Sequence, residues 1–146
     1  MSSRYSRPLL IAITLGLLLS ACALPTKAPP LSPQEVVTKF YRWYIGYPGN
    51  PLVDKEYRAS PYLAESFIRE VDETLASFDR GGGDPFLLAQ DIPEQFTVDE
   101  ATVSGDRASV AINLFWGGNP TPSPRQVDLE LIYGEWKITR VSILEQ

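Results

Sequence analysis

Residues 108–116 read Ala-Ser-Val-Ala-Ile-Asn-Leu-Phe-Trp, and their period is two. Ala108, Val110, Ile112, Leu114 and Trp116 fall on one side of an extended chain. Alternation at that period marks a strand with one buried face. The pattern continues in both directions. Upstream, Phe96 and Val98 open a strand, and Ser104-Gly105-Asp106 supplies a turn. Downstream, Gly117 to Pro124 reads GGNPTPSP, too rich in glycine and proline to pair, and is expected as a loop. Val127, Leu129, Leu131 and Tyr133 resume the alternation, with Asp128 and Glu130 outside. Gly134-Glu135 turns the chain into a last strand, Trp136 to Ile143. Its apolar face switches between Ile138 and Val141, the mark of a bulge.

Two helices precede this meander. Ser32-Pro33-Gln34-Glu35 offers an N-cap hydroxyl, a proline where a missing N–H costs nothing, and a glutamate that closes a capping box. Val37, Phe40, Tyr41, Tyr44 and Tyr47 recur at helical spacing as one apolar stripe, ended by Gly46 and Pro48-Gly49-Asn50-Pro51. Ser60-Pro61 predicts the start of the second helix, with Leu63, Phe67, Val71, Leu75 and Phe78 inside and Gly81-Gly82-Gly83 as its stop. Helices first and an antiparallel meander after define an α+β order. The expected fold is two N-terminal helices packed on a curved antiparallel sheet of about four strands.

The N-terminus carries different information. Arg4 and Arg7 precede an apolar run from Leu9 to Leu19, which ends in Leu19-Ser20-Ala21-Cys22. That is the order of a secretory signal. A membrane-spanning helix needs ~20 apolar residues, and Pro8, Ser20, Pro25 and Thr26 shorten the usable core. The tetrapeptide resembles the lipobox of bacterial lipoproteins. The resemblance implies removal of residues 1–21 and lipid on the Cys22 thiol. Residues 22–31 would then form the lipidated cysteine and a proline-rich tether, and 32–146 the domain. Ala23 is not the aspartate that holds lipoproteins at the inner membrane, so the expected address in a two-membrane cell is the outer membrane, facing the periplasm.

Charge narrows the partners. The chain has 13 basic and 18 acidic residues, net -5. Without Arg4 and Arg7 the net charge falls to -7, which repels phosphate backbones and argues against nucleic acid. It also disfavours adhesion to anionic lipid, so a membrane link should be covalent, through Cys22. Cys22 is the only cysteine, so no disulfide framework is available. The chain has no histidine, the commonest general base and zinc ligand. No cofactor or metal is expected.

Three segments together look familiar: Phe40-Tyr41-Arg42-Trp43-Tyr44, Asp84-Pro85-Phe86-Leu87-Leu88-Ala89-Gln90-Asp91-Ile92-Pro93, and Gly134-Glu135-Trp136-Lys137-Ile138. Across residues 33–144 they resemble a bacterial family of small lipoprotein and periplasmic domains of unknown function with an Asp-Pro-Phe…Gln-Asp signature. That family is similar in fold to the NTF2-like, or cystatin-like, cone. The resemblance implies fold and compartment and supplies no activity.

The candidate ligand or structural site is Asp84, Gln90, Asp91, Trp116 and Tyr133. Two acids and an amide converging at the mouth of a cone, with aromatics around them, would suit a small ligand or an Asp91 base raised by burial. The structural alternative makes Asp84-Pro85 a turn initiator, Phe86, Leu87 and Leu88 a plug beneath the sheet, and Asp91 a carboxylate held by backbone donors. The aromatics then fill the core. Gly81-Gly82-Gly83 lacks the Gly-Lys-Ser/Thr of a phosphate loop. Asp72 and Glu73 diverge by about 100° on a helix and make no cation cage. The sequence therefore reads as a non-enzymatic, membrane-anchored envelope lipoprotein that binds another envelope component. An inhibitor or immunity protein is one form of this. The alternatives are a small-ligand-binding cone and an Asp-dependent hydrolase or isomerase. The Gly117–Pro124 loop is the expected contact surface.

Overall fold

The computed structural model describes residues 28–77 and 82–144. The signal segment, Cys22, Phe78 and Gly81 lie outside the described residues. Helix α1 spans Pro33–Ile45 and opens as its sequence requires. Ser32 N–H and Oγ both donate to Glu35 Oε2 at 2.8 Å, and Glu35 N–H donates to Ser32 Oγ at 3.2 Å. Gly46 closes the helix, its N–H donating to the Arg42 carbonyl. Val36, Val37, Phe40, Tyr41 and Tyr44 form the buried stripe.

The second helix, α2, runs Glu65–Ser77, so the Ser60-Pro61 start signal is not where it begins. Tyr62 and Ala64 instead bond to the last strand: Ile138 N–H donates to the Tyr62 carbonyl, and Ala64 N–H to that of Ile138. This short parallel bridge at Leu63 competes with the helix and wins locally. Phe67 and Val71 are buried as expected. The connection between the helices, expected as loop, includes a 3-10 turn at Glu56–Ala59 that buries Tyr57 completely.

The sheet has five strands: β1 Gln95–Val98, β2 Thr102–Ser104, β3 Arg107–Phe115, β4 Ser123–Ile132 and β5 Glu135–Ile143. The order is β1-β3-β4-β5, all antiparallel, and the short β2 continues the β1 edge of β3. The architecture is the expected α+β one, with β2 as the strand the periodicity did not announce. From Ala108 onward β3 alternates buried and half-buried residues. The bulge falls where the face switch placed it: Asp128 pairs with Arg140 and Leu129 with Ile138, leaving Thr139 as the extra residue. Helix α1 packs against β1, β3 and β5, and α2 against β5.

Two features of β4 correct the sequence reading. Ser123 and Pro124 belong to the strand, paired with Leu114 and Asn113. Pro124 is tolerated because its carbonyl faces β5 and accepts from Leu144 N–H, so the missing donor points past the end of β5. At the other end, Leu131 and Tyr133 are exposed rather than buried. Ile132 pairs with Glu135, so the two-residue turn is Tyr133-Gly134, and both have positive φ, 50° and 80°. This is the requirement of a type I′ hairpin.

Leu129 sits at the centre of the helix-facing side, 1% exposed. Leu129→Ala should cost about 2–5 kcal/mol in urea denaturation, lost transfer energy plus a cavity. A loss below ~0.5 kcal/mol would mean that the face is not core.

Candidate functional site

Asp84 is the centre of the polar architecture. It follows the glycines and opens a tight loop closed on itself: Asp84 N–H donates to the Ala89 carbonyl and Leu88 N–H to the Asp84 carbonyl, both at 2.7 Å. Leu88 takes a positive φ of 51° to complete it. The Asp84 side chain is buried. Oδ1 accepts from the Phe86 and Leu87 amides at 2.8 and 3.1 Å, and Oδ2 accepts from the Tyr44 hydroxyl at 2.5 Å. Burial outweighs these three donors and pushes the carboxyl up. Burial and the Asp84 charge push the Tyr44 hydroxyl far up as well, so the shared proton stays on the tyrosine at neutral pH.

Arg125 clamps the same loop from β4. Its Nε donates to the Leu87 carbonyl at 2.8 Å and its Nη2 to that of Leu88 at 3.3 Å. Nη1 reaches Ser123 Oγ and the Pro124 carbonyl, both at 2.9 Å. The Tyr41 hydroxyl donates to the Phe86 carbonyl at 2.8 Å. The loop is thus held by α1 through Tyr41 and Tyr44, and by the sheet through Arg125. Between them lies Phe86, its ring 5.1–5.6 Å from those of Phe40, Tyr44, Tyr57 and Phe67. Arg125 was legible in principle. It shares the inward period of Val127 and Leu129, and an arginine on a buried face demands carbonyl or carboxylate partners.

The other expected residues do not converge on Asp84. Gln90 and Asp91 are exposed. Asp91 contributes its backbone carbonyl, which accepts from Trp116 Nε1 at 3.0 Å. The carboxylate held by backbone donors is therefore Asp84, and the buried Asp91 expected from the sequence is corrected. Trp116 follows the last residue of β3 at one pole of the sheet, and Tyr133 lies past the far end of the ten-residue β4. At ~3.3 Å per residue they are roughly 30 Å apart and line no common pocket. The inner space is filled by α1, where Val37, Phe40 and Tyr41 are fully buried.

Chemically the arrangement ties the Asp84–Ala89 loop to α1 and the sheet. Among the described residues, every buried side-chain nitrogen or oxygen has a hydrogen-bond partner. No group of three His, Cys, Asp or Glu among them could hold a metal ion. Asp72 is taken up by the Tyr57 hydroxyl and by Arg58 at 3.0 Å, which hold its carboxyl below the usual range. No described helix is long and apolar enough to cross a membrane.

The fold and site define an α+β domain whose buried polar groups serve its own backbone. No family model and no curated protein matches the chain. Among solved structures it is similar to a chain of the type VI effector-immunity complex Tae3-Tai3 from Ralstonia pickettii. In the selenomethionine crystal the match covers 79% of this chain and 98% of that one, with 25% identity and a TM-score of 0.61. In the native crystal it covers 79% and 97%, with 24% identity and a TM-score of 0.62. A de novo designed NTF2-fold protein, NT-9, matches over 77% and 85% at 17% identity and a TM-score of 0.40. That likeness adds nothing to the fold assignment, which rests on the element order and sheet path.

Proposed function

We propose that this protein is a lipid-anchored envelope lipoprotein that docks on, and neutralises, a type VI effector. The observation that carries the reading is the match, over 79% of this chain and 98% of the other, to one chain of an effector-immunity complex. The immunity side is favoured over the effector side by the chemistry. The chain has no histidine, its single cysteine is Cys22, and Asp84 is committed to Tyr44 and two amides. Among the described residues, the Ser32 hydroxyl that donates to the Glu35 carboxylate is spent on the cap of α1.

The contact surface is the loop between β3 and β4. Residues 117–122 are all exposed. The loop is preorganised by Asn119 N–H on the Trp116 carbonyl at 3.0 Å and Thr121 N–H on Asn119 Oδ1 at 2.9 Å. Its prolines cut the entropy lost on docking. Crosslinking in intact envelopes, followed by mass spectrometry, should recover a type VI effector, and co-expression should protect cells against it. Replacing residues 117–122 by Asn-Gly should leave the melting temperature within a few degrees and abolish both. Recovery of no effector, or unchanged toxicity on co-expression, overturns the reading.

Anchoring is checked separately. Metabolic labelling with a fatty acid should mark the wild type and leave Cys22→Ser unlabelled, and the wild type should fractionate with the outer membrane on a density gradient. Equal labelling of both proteins removes the lipid anchor.

A further inference from the structure

The pole opposite the 117–122 loop has an uncovered apolar surface. Tyr133 is 101% exposed, Val103 52% and Leu131 41%. Leu131 pairs with Trp136, and Val103 opposes Ala108, which opposes Leu129. Register therefore puts Val103, Leu131 and Trp136 on the helix-facing side of the sheet, and the exposure of Val103 and Leu131 shows that no helix covers those two, although Val36 of α1 borders the groove beside Trp136. Beside them lies a groove of ~480 Å³ lined by Pro29, Pro30, Leu31, Tyr62, Tyr133 and Trp136.

We infer that this pole rests on the bilayer surface, with Tyr133 and Trp136 at headgroup depth, so that the 117–122 loop points away from the membrane. The inference rests on the anchoring of Cys22 proposed above. Three observations select lipid as the occupant. The chain leaves the described domain at Ala28, six residues from Cys22, so even fully extended it separates the two by no more than ~20 Å. The groove is built partly from the tether itself, so the anchor enters the domain at the apolar pole and not at some remote point. Two of the acids at this pole have a cation beside them: Glu135 pairs with Lys137 at 2.8 Å and Glu130 with Arg107 at 3.9 Å. Tyrosine and tryptophan are the residues that settle at a membrane–water boundary, with an apolar ring below and a polar tip above.

The turn itself gives further support. A non-glycine residue at φ 50° is strained, and asparagine or glycine would hold the position at less cost. A tyrosine kept there, fully exposed, contributes nothing to the fold that asparagine would not contribute better. Its use is outside the domain.

The test uses the full lipidated chain labelled with 5-fluorotryptophan. It is reconstituted in phosphatidylethanolamine–phosphatidylglycerol vesicles that carry a nitroxide headgroup lipid. The three tryptophans are internal rulers: Trp136 at the proposed contact, Trp43 in the last turn of α1, and Trp116 at the far pole. The Trp136 fluorine line should broaden at least threefold more than that of Trp116. Tyr133→Asn should reduce the difference by half or more while the melting temperature holds or rises. Equal broadening of the three lines in protein that co-sediments with vesicles overturns the inference and leaves the anchor standing. So does stronger broadening of Trp116. Protein that carries no acyl mass and does not co-sediment removes the anchor, and the inference with it.

Discussion

Phe86→Ala should cost the domain about 3–5 kcal/mol, a large share of the ~5–15 kcal/mol that stabilises a domain of this size. The ring is fully buried and touches four others, from α1, the 3-10 turn and α2. Its ring contacts tie those three elements to the Asp84–Ala89 loop by side-chain packing. Removing it opens a cavity at a junction where each wall is fixed by other contacts: Tyr41 by its bond to the Phe86 carbonyl, Tyr44 by Asp84, and Tyr57 by Asp72. Walls held in this way collapse little, which puts the cost at the upper end of the range. Ile92→Ala, three residues beyond the Asp84–Ala89 loop and 45% exposed, should change stability by less than ~0.5 kcal/mol. Urea denaturation of both variants makes the comparison. A loss under 1 kcal/mol for Phe86→Ala would show that the loop sits on the core rather than in it.

What could be read from the chain follows from how local each signal is. The capping box at Ser32 and Glu35 is decided within four residues, and the structure forms it bond for bond. The β5 bulge is decided within four residues too, because Ile138 and Val141 must both face inward. Signals decided by distant partners failed. The Ser60-Pro61 start is overridden by Ile138, more than seventy residues away, whose backbone groups pair with Tyr62 and Ala64. Pro124 could enter a strand because β5 ends before it needs a donor. Leu131 and Tyr133 obey the period of Leu129, and the period is indifferent to whether a helix is long enough to cover them. The same limit explains the site. Turn chemistry announced Asp84-Pro85 as a turn initiator but assigned the carboxylate that holds backbone amides to Asp91, and the structure gives that role to Asp84. Choosing it over Asp91 depended on Tyr44 and Arg125, which arrive from α1 and β4.

Asp84→Ala should be as damaging as the loss of Phe86, on the order of 3–5 kcal/mol, and by a different route. Alanine strands the Tyr44 hydroxyl and the Phe86 and Leu87 amides in a dry interior, and each orphaned donor costs about 1–3 kcal/mol. Asp84→Asn separates geometry from charge. The asparagine oxygen can accept from both amides, and its NH₂ can donate to the Tyr44 oxygen, so most of the hydrogen bonding survives. What changes is the pH dependence. Burial raises the Asp84 carboxyl above its ordinary 3.8 in the folded state, so the native protein binds that proton more tightly than the unfolded chain does. The resulting stabilisation is fully present below pH 3.8 and is lost as pH rises through the raised value. Asp72 acts in the opposite sense. Its carboxyl is lowered by Tyr57 and Arg58, so its contribution is present above the ordinary value and lost on acidification. The wild type should therefore show opposing slopes in acid. Asp84→Asn should remove only the one that falls with rising pH, so that its stability relative to wild type improves from acid toward neutral pH. Denaturation midpoints between about pH 3 and 8 read this directly. A constant offset between the two proteins across that range would mean that Asp84 keeps an unshifted carboxyl, and that its three donors balance burial in full.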